Sequence, residues 1–398
     1  MEVKQIYALM SSVSKEVLGT TGLVKDDLTG IVDMGTAVFN QNALDNYVKS
    51  LVNHIGKVIF VNRPYTGKVP SVLMTAWEFG SVLEKISADI PEAQENESWK
   101  LTDQHEYKQD VFYKPAVTAK FFNSKVTFEV PVSITERQVK ESFSSAEQLN
   151  GFLSMIYSAV DKSMTIKIDA LVMRTINNMV AETLNADKTA FGVASDAGDA
   201  SDASVDYSSA STVRCVNLLK LYKDKTGEIL TADKCITNPD FIRFASYQMG
   251  LYADRMGSIS TLFNVGGKAR FTPSDMLHTV LLSDFAKAAQ TYLYSDTYNK
   301  EQVLLPKAET VPSWQGTGKD YGFESVSTIY VKSSSGADVN ISGVLGVMFD
   351  RDALGVSNID RRVTTNYNAK AEFFNNYYKF DAGYFNDTNE NFVVFFAV

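Results

Sequence analysis

Cysteine and histidine are the scarcest chemically useful residues in this chain: its 398 residues include two of the first and three of the second. Cys215 and Cys235 cannot make a disulfide framework for so long a chain, and they read as small buried hydrophobes in a protein that folds in a reducing compartment. His54, His105 and His278 stand in unrelated contexts. None shares a local window with a cysteine or another histidine at metal-ligand spacing, so neither a metal site nor a cofactor is expected. Positive charge is also short, with 38 Lys and Arg against 47 Asp and Glu, a formal net charge of -9. Proteins dedicated to nucleic acid neutralise phosphates with clustered Lys and Arg. Contact with DNA should therefore be weak and nonspecific. No apolar run approaches the roughly 20 residues that cross a bilayer, and no membrane association is expected. The opening MEVKQIYALMSSVSKEV mixes acidic and polar residues into its apolar positions, which suits a short amphipathic helix and not a signal peptide.

Catalytic signatures are equally thin. Gly318-Lys319 and Gly267-Lys268 resemble the end of a phosphate loop, but that loop needs a Gly five residues earlier and a Ser or Thr afterwards. Ser313 and Leu262 hold the earlier positions, and Asp320 and Ala269 the later ones. Both pairs read as loop glycines. No G-x-S-x-G elbow occurs, and neither cysteine lies in a nucleophile context. Carboxylates gather in PEAQENE and in DKTAFGVASDAGDASDASVDYSSAS, segments that read as solvated charge and not as a fixed acid/base pair. The aromatic set Phe373, Phe374, Tyr377, Tyr378, Phe380, Tyr384 and Phe385 could stack bases, but in an acidic chain it reads as sheet packing. No catalytic, cofactor-binding or metal-binding residue is assigned, and the chain is not expected to be an enzyme.

What the sequence does contain is one long amphipathic run. From Ser145 to about Ala181 there is no proline, and Leu149, Leu153, Ile156, Val160, Met164, Ile168 and Leu171 recur at three-and-four spacing. This predicts a helix of roughly ten turns, on the order of 55 Å long, with Ser145 and Gln148 as its capping box. Before it, Asn42 to Ile55 has helical spacing ended by Gly56. Val58 to Val61, Tyr113 to Thr118 and Lys125 to Val130 read as strands around the polar stretch PEAQENESWKLTDQHEYKQD, which predicts a long two-stranded excursion with a charged tip. Such a ribbon is marginal alone in water. After the helix and the Asp-rich loop, Val213 to Leu221 reads as a helix and Lys234 to Thr237 as a strand. Asn238-Pro239 opens a helix through Met249. Val280 to Leu282, Val303 to Leu305, Ser327 to Val331 and Val344 to Phe349 are strand candidates, followed by an aromatic, strand-rich end. The chain is read as α+β, a discontinuous domain holding the long helix with a second domain inserted into it.

Three segments carry a resemblance over most of the chain. They are GTAVFNQNALDNYVKSLVNHIGKVIFVNRP, FSSAEQLNGFLSMIYSAVDKSMTIKIDALVMRTINNM, and the stretch from Asp350 to Phe396. In order and composition they resemble the major capsid proteins of tailed bacteriophages, of the Hong Kong ninety-seven type fold, and in particular head proteins of short-tailed phages with small genomes. The resemblance implies an N-terminal arm and helix over 1–56 and an extended β loop over 57–125. It implies a peripheral domain with a spine helix over 126–190 and 344–398, and an axial domain over 191–343. It further implies a structural protein that self-assembles through pentamers and hexamers into an icosahedral head enclosing double-stranded DNA, in the host cytoplasm and then in the virion. A portal and a separate scaffolding protein are the expected partners, since about 40 residues before the entry helix at 42–55 are too few for a cleaved scaffold. No position matches the Lys and Asn that the founding member cross-links. A cellular nanocompartment shell enclosing a cargo enzyme is the alternative.

Overall fold

The computed structural model describes residue 15 and residues 69–74, 83–91, 93, 95–107, 110, 112–135, 146–193, 205–294, 308–315 and 322–398. The arm and helix expected before residue 57, the strands at 58–61 and 303–305, the capping Ser145, His54 and the pair Gly318-Lys319 lie outside the described residues. In chain order the elements begin with β1 (Leu73–Met74), β2 (Leu83–Ala88), β3 (Val117–Phe122), β4 (Lys125–Thr135) and α1 (Ala146–Ala186). Next come β5 (Gly192–Val193), β6 (Val205–Asp206), β7 (Cys215–Asn217), α2 (Leu218–Thr226), α3 (Ala232–Cys235), α4 (Pro239–Met256), β8 (Leu277–Leu282) and α5 (Ser283–Tyr294). The last are β9 (Ala308–Val311), α6 (Phe323–Ser327), β10 (Ile329–Lys332), β11 (Asp338–Ile341), β12 (Val344–Asp350), β13 (Leu354–Asn368), β14 (Phe373–Asn386) and β15 (Phe392–Phe396). The chain folds into two compact units, one of Met1–Pro70, Lys125–Leu171 and Ser357–Gly383, the other of Ser71–Ser124, Val172–Val356 and Tyr384–Val398.

The long helix predicted from periodicity is present as a single element of 41 residues, about 60 Å at 1.5 Å per residue. In the first unit Val160, Met164, Ile168 and Leu171 are buried along it while Ile166 is exposed, the one-sided stripe that the spacing requires. The sheet of this unit pairs β14 antiparallel with β4, from Phe373 opposite Thr135 to Gly383 opposite Lys125. Alternation sorts its faces. Phe374, Tyr378, Phe380 and Ala382 point inward and are buried, with Phe128 stacked on Phe380 at 5.0 Å. The other face is polar: Thr127 Oγ1 donates to Asp381 at 2.6 Å, and Arg362 pairs with the same carboxylate at 2.6 Å. Burial lowers the Arg361 pKa, and the charge of Asp161 on α1 opposes that shift. The C-terminal aromatics are thus sheet and core residues.

The second unit is built on a five-stranded sheet in the order β7-β15-β12-β8-β9. β7 runs parallel to β15 and β8 parallel to β9, while β12 is antiparallel to both neighbours. FVVFF and VLGVMF are continuous apolar runs because both faces are covered. On one face Leu281, Leu345, Met348, Val393 and Phe395 pack with Leu218 of α2, Phe241, Ile242 and Met249 of α4, and Phe285 of α5. On the other, the Phe396 ring meets Phe191 and Tyr207 at 6.4 and 6.3 Å, and Trp314 Nε1 donates to the Val344 carbonyl at 2.8 Å. The end of α1 belongs to this unit, with Ile176, Met179, Val180 and Leu184 wholly buried. Asn177 Nδ2 donates from it to the Trp314 carbonyl at 3.0 Å. Gly346 allows β12 and β8 to approach: a Cβ there would lie 2.6 Å from Leu281 Cδ2 and 3.0 Å from the Val280 carbonyl oxygen.

Two expected elements are corrected. The helix expected over 213–221 is a strand followed by a helix: Cys215–Asn217 pair with Val394–Phe396, and Asn217 then caps α2 by accepting from the Lys220 N–H at 3.2 Å. The strand expected over 234–237 is the short helix α3, which turns Cys235 fully into the core. Burial of that one side chain overrides a weak β preference. Pairing also distributes the chain beyond residue 343 between the units: β12 and β15 join β8 and β7, whereas Ser357–Gly383 group with β4 and the front of α1.

Candidate functional site: a two-faced ribbon

β2 and β3 form an antiparallel ribbon with Leu83 opposite Phe122, Lys85 opposite Lys120 and Ser87 opposite Thr118. The predicted strand at 113–118 is displaced to 117–122, and its partner at 83–88 gives no apolar run from which to read it. Because side chains alternate, these three pairs share one face and Glu84/Phe121, Ile86/Ala119 and Ala88/Val117 share the other.

The first face is held by charge. Lys85 and Lys120 stand directly across from each other, an arrangement that is repulsive in an isolated ribbon. Asp387 resolves it, with Oδ2 at 2.9 Å from Lys85 Nζ and Oδ1 at 2.8 Å from Lys120 Nζ. Lys85 Nζ also donates to Glu390 Oε1 at 2.8 Å and to the Asp352 carbonyl at 3.0 Å. Asp387 is only 2% exposed and also accepts from the Asn389 N–H at 3.0 Å. Burial alone would lower the Lys85 pKa, but its hydrogen bond to Glu390 and the Asp387 charge outweigh that and hold it above the ordinary lysine value. Burial would likewise raise Asp387; the hydrogen bond from Lys120 and the charge of Lys85 bring it below the usual carboxylate value. At Glu390 burial wins and the pKa rises, against the hydrogen bond from Lys85 and the charge of Arg270.

A turn supports the same cluster. Ser260 and Arg270 bridge each other, Arg270 Nε lies 3.5 Å from Glu390, and Lys268 Nζ reaches Asp89 at 2.8 Å just past the end of β2. Gly267, singled out as a loop glycine, has φ of 64° in this turn, a left-handed conformation that favours glycine. Apolar contact at the ribbon base comes from Phe122 on Phe385, with ring centroids 5.1 Å apart.

The second face is bare. Ile86 and Phe121 are each 65% exposed, and Val117 beside them is exposed too. Between the strands, Trp99 is 93% and Phe112 87% exposed, with Leu101 and Tyr113 close behind. Several large apolar side chains exposed to this degree mark an interaction surface. His105 belongs to this segment, edge-on to Tyr107 at 4.8 Å, whereas His278 is buried in β8 with its ring 5.9 Å from Phe349. Burial raises the thiol pKa of Cys215, with Asp187 adding to the shift, and raises that of Cys235 to about 12. Among the described residues no group of three or more His, Cys, Asp or Glu is placed to hold a metal ion, and no helix is long and apolar enough to cross a membrane.

A folded body that carries a hairpin gripped on one face and bare on the other has the build of a structural protein working through contacts with other chains. Residues 10–396 match the family model described as Phi29-like phage major capsid protein, and the chain belongs to that family. It is a capsid protein, and its role is to form the shell of a phage head. The alternative of a nanocompartment shell is not favoured. No curated protein matches the chain. Among solved structures, it is similar to a chain from the capsid of Staphylococcus phage Andhra, with 8% identity, 85% of this chain and 86% of that chain covered, and a TM-score of 0.49. A chain from the structure of the head fiber and inner core protein gp22 of native bacteriophage P68 is 7% identical, with 85% and 86% covered and a TM-score of 0.48. One from the capsid of the cyanophage P-SCSP1u is 8% identical, with 85% and 90% covered and a TM-score of 0.43. The family assignment rests on the sequence match.

Proposed function

We propose that copies of this chain assemble through pentamers and hexamers into an icosahedral head around double-stranded DNA, and that the bare face of the β2–β3 ribbon is the surface each copy lays on its neighbour. The exposed row Ile86, Phe121 and Val117 carries this reading. Full burial of one such side chain is worth about 1.5–3 kcal/mol, so a neighbour that covers the row supplies what a lone two-stranded ribbon lacks. In this reading residues 57–125 are the extended loop and 1–56 the arm. Residues 126–190 and 344–398 form the peripheral domain around the long helix as its spine, and 191–343 form the axial domain. The 41-residue helix supports the spine role by its length.

A heterologous contact of this kind closes rings when its rotation closes. The acidic balance fits a shell that encloses DNA and binds it only weakly, since a strongly basic wall would retain the genome. A portal and a separate scaffolding protein are the other partners, and assembly takes place in the host cytoplasm. Electron microscopy of the chain expressed with and without the scaffolding protein of its phage tests the reading. Closed isometric shells of uniform size are expected with the scaffold; a stable monomer in both conditions contradicts it.

A further inference from the structure

The charged cluster beneath the ribbon has a property that the shell-forming role does not require. Among the described residues, ribbon and body meet through few apolar contacts and several ionic ones: Lys85 and Lys120 on Asp387, Lys85 on Glu390, and Lys268 on Asp89. The sheet beside it is packed by apolar side chains, among them Leu281, Met348, Val393 and Phe395. The lysine ends of the ionic pairs are 21–37% exposed and within reach of water, while the Asp387 and Glu390 carboxylates are largely buried; interdigitated apolar side chains give water no such entry. Asp387 is pinned from the body side, its N–H donating to the Ala353 carbonyl at 2.7 Å. The movable partners are therefore the two lysines on the ribbon.

We propose that the Asp387-centred cluster is a reversible latch: it fixes the pose of the β2–β3 ribbon and can open without unfolding the body. When the latch is closed, Asp387 neutralises the cross-strand lysine pair and Glu390 holds Lys85 from a second side. When it is open, Lys85 and Lys120 face each other in water, and the ribbon keeps its own hydrogen bonds, the Phe122 contact and the Lys268–Asp89 pair at its end. A lone two-stranded ribbon is marginal in water, so the open state shows itself as lost protection of the ribbon amides. The turn that bears Lys268 and Arg270 touches the ribbon end and Glu390 together, so displacement of that turn also biases the latch. Such local opening, cheaper than global unfolding, is the behaviour expected of a segment held by few buried apolar contacts.

Amide hydrogen exchange on the full chain, before assembly, tests the proposal with two variants. In Asp387→Asn, exchange over 83–88 and 117–122 should quicken about tenfold or more, the scale expected when one partner of a largely buried charge cluster is removed, while β8, β12 and β15 keep their protection. Lys120→Met touches only the ribbon side and should quicken the same amides by a smaller factor. Unchanged ribbon exchange in both variants overturns the latch. Equal loss of protection in ribbon and sheet in Lys120→Met also overturns it, because the cluster would then belong to the body's own stability.

Discussion

The five-stranded sheet and the β2–β3 ribbon are both β-structure in the same unit, yet they are held by opposite means. The sheet buries Val347, Met348, Phe349, Val393, Val394, Phe395 and Phe396 almost completely. The ribbon exposes Ile86 and Phe121 and anchors itself through lysines on Asp387. In the proposed reading one carries subunit stability and the other association, and substitutions should separate the two.

The largest effects should fall where apolar side chains are sealed. On the buried stripe of α1, Val160→Asp places a carboxylate where the side chain is 2% exposed. An unpaired charge there costs several kcal/mol, so soluble folded protein should be lost, as read by yield and circular dichroism. In the sheet, Phe395→Ala should cost about 3–5 kcal/mol in denaturant unfolding of the subunit. Gly346→Val comes next, because its side chain would run into Leu281 and the β8 backbone; overpacking of this kind costs about 1–3 kcal/mol.

Arg362→Gln should have a smaller effect. Its hydrogen bond holds the Asp381 carboxyl below its ordinary value of 3.8. A depressed carboxylate pKa stabilises the folded state above the unfolded value, and that contribution is lost as pH falls through the folded one. The variant should therefore lose at most about 1 kcal/mol at neutral pH, and the difference from wild type should vanish in strong acid. Stability against pH for both proteins checks this.

How much of this was legible in the sequence follows from the range of each interaction. The long helix was readable because its stripe repeats every three or four residues. Local β-branched and aromatic runs mark strands at 125–130 and 344–349, within the observed Lys125–Thr135 and Val344–Asp350. The sequence around β7 reads as helix because its parallel partner, Val394–Phe396, lies far along the chain. The latch left no local signal: Lys85 and Glu390 are 305 residues apart, and each alone looks like solvated charge. Ile86, Phe121 and Val117 likewise give no sign in the sequence that the fold leaves them bare.

The claim that the ribbon's bare face serves association and not folding is tested most directly by a double variant, Ile86→Ser with Phe121→Ser. Unfolding of the isolated subunit and electron microscopy after co-expression with the scaffolding protein would be measured on the same preparations. The account predicts subunit stability within about 0.5 kcal/mol of wild type, as for exposed positions, together with loss of closed shells. Normal shells from the double variant would contradict it.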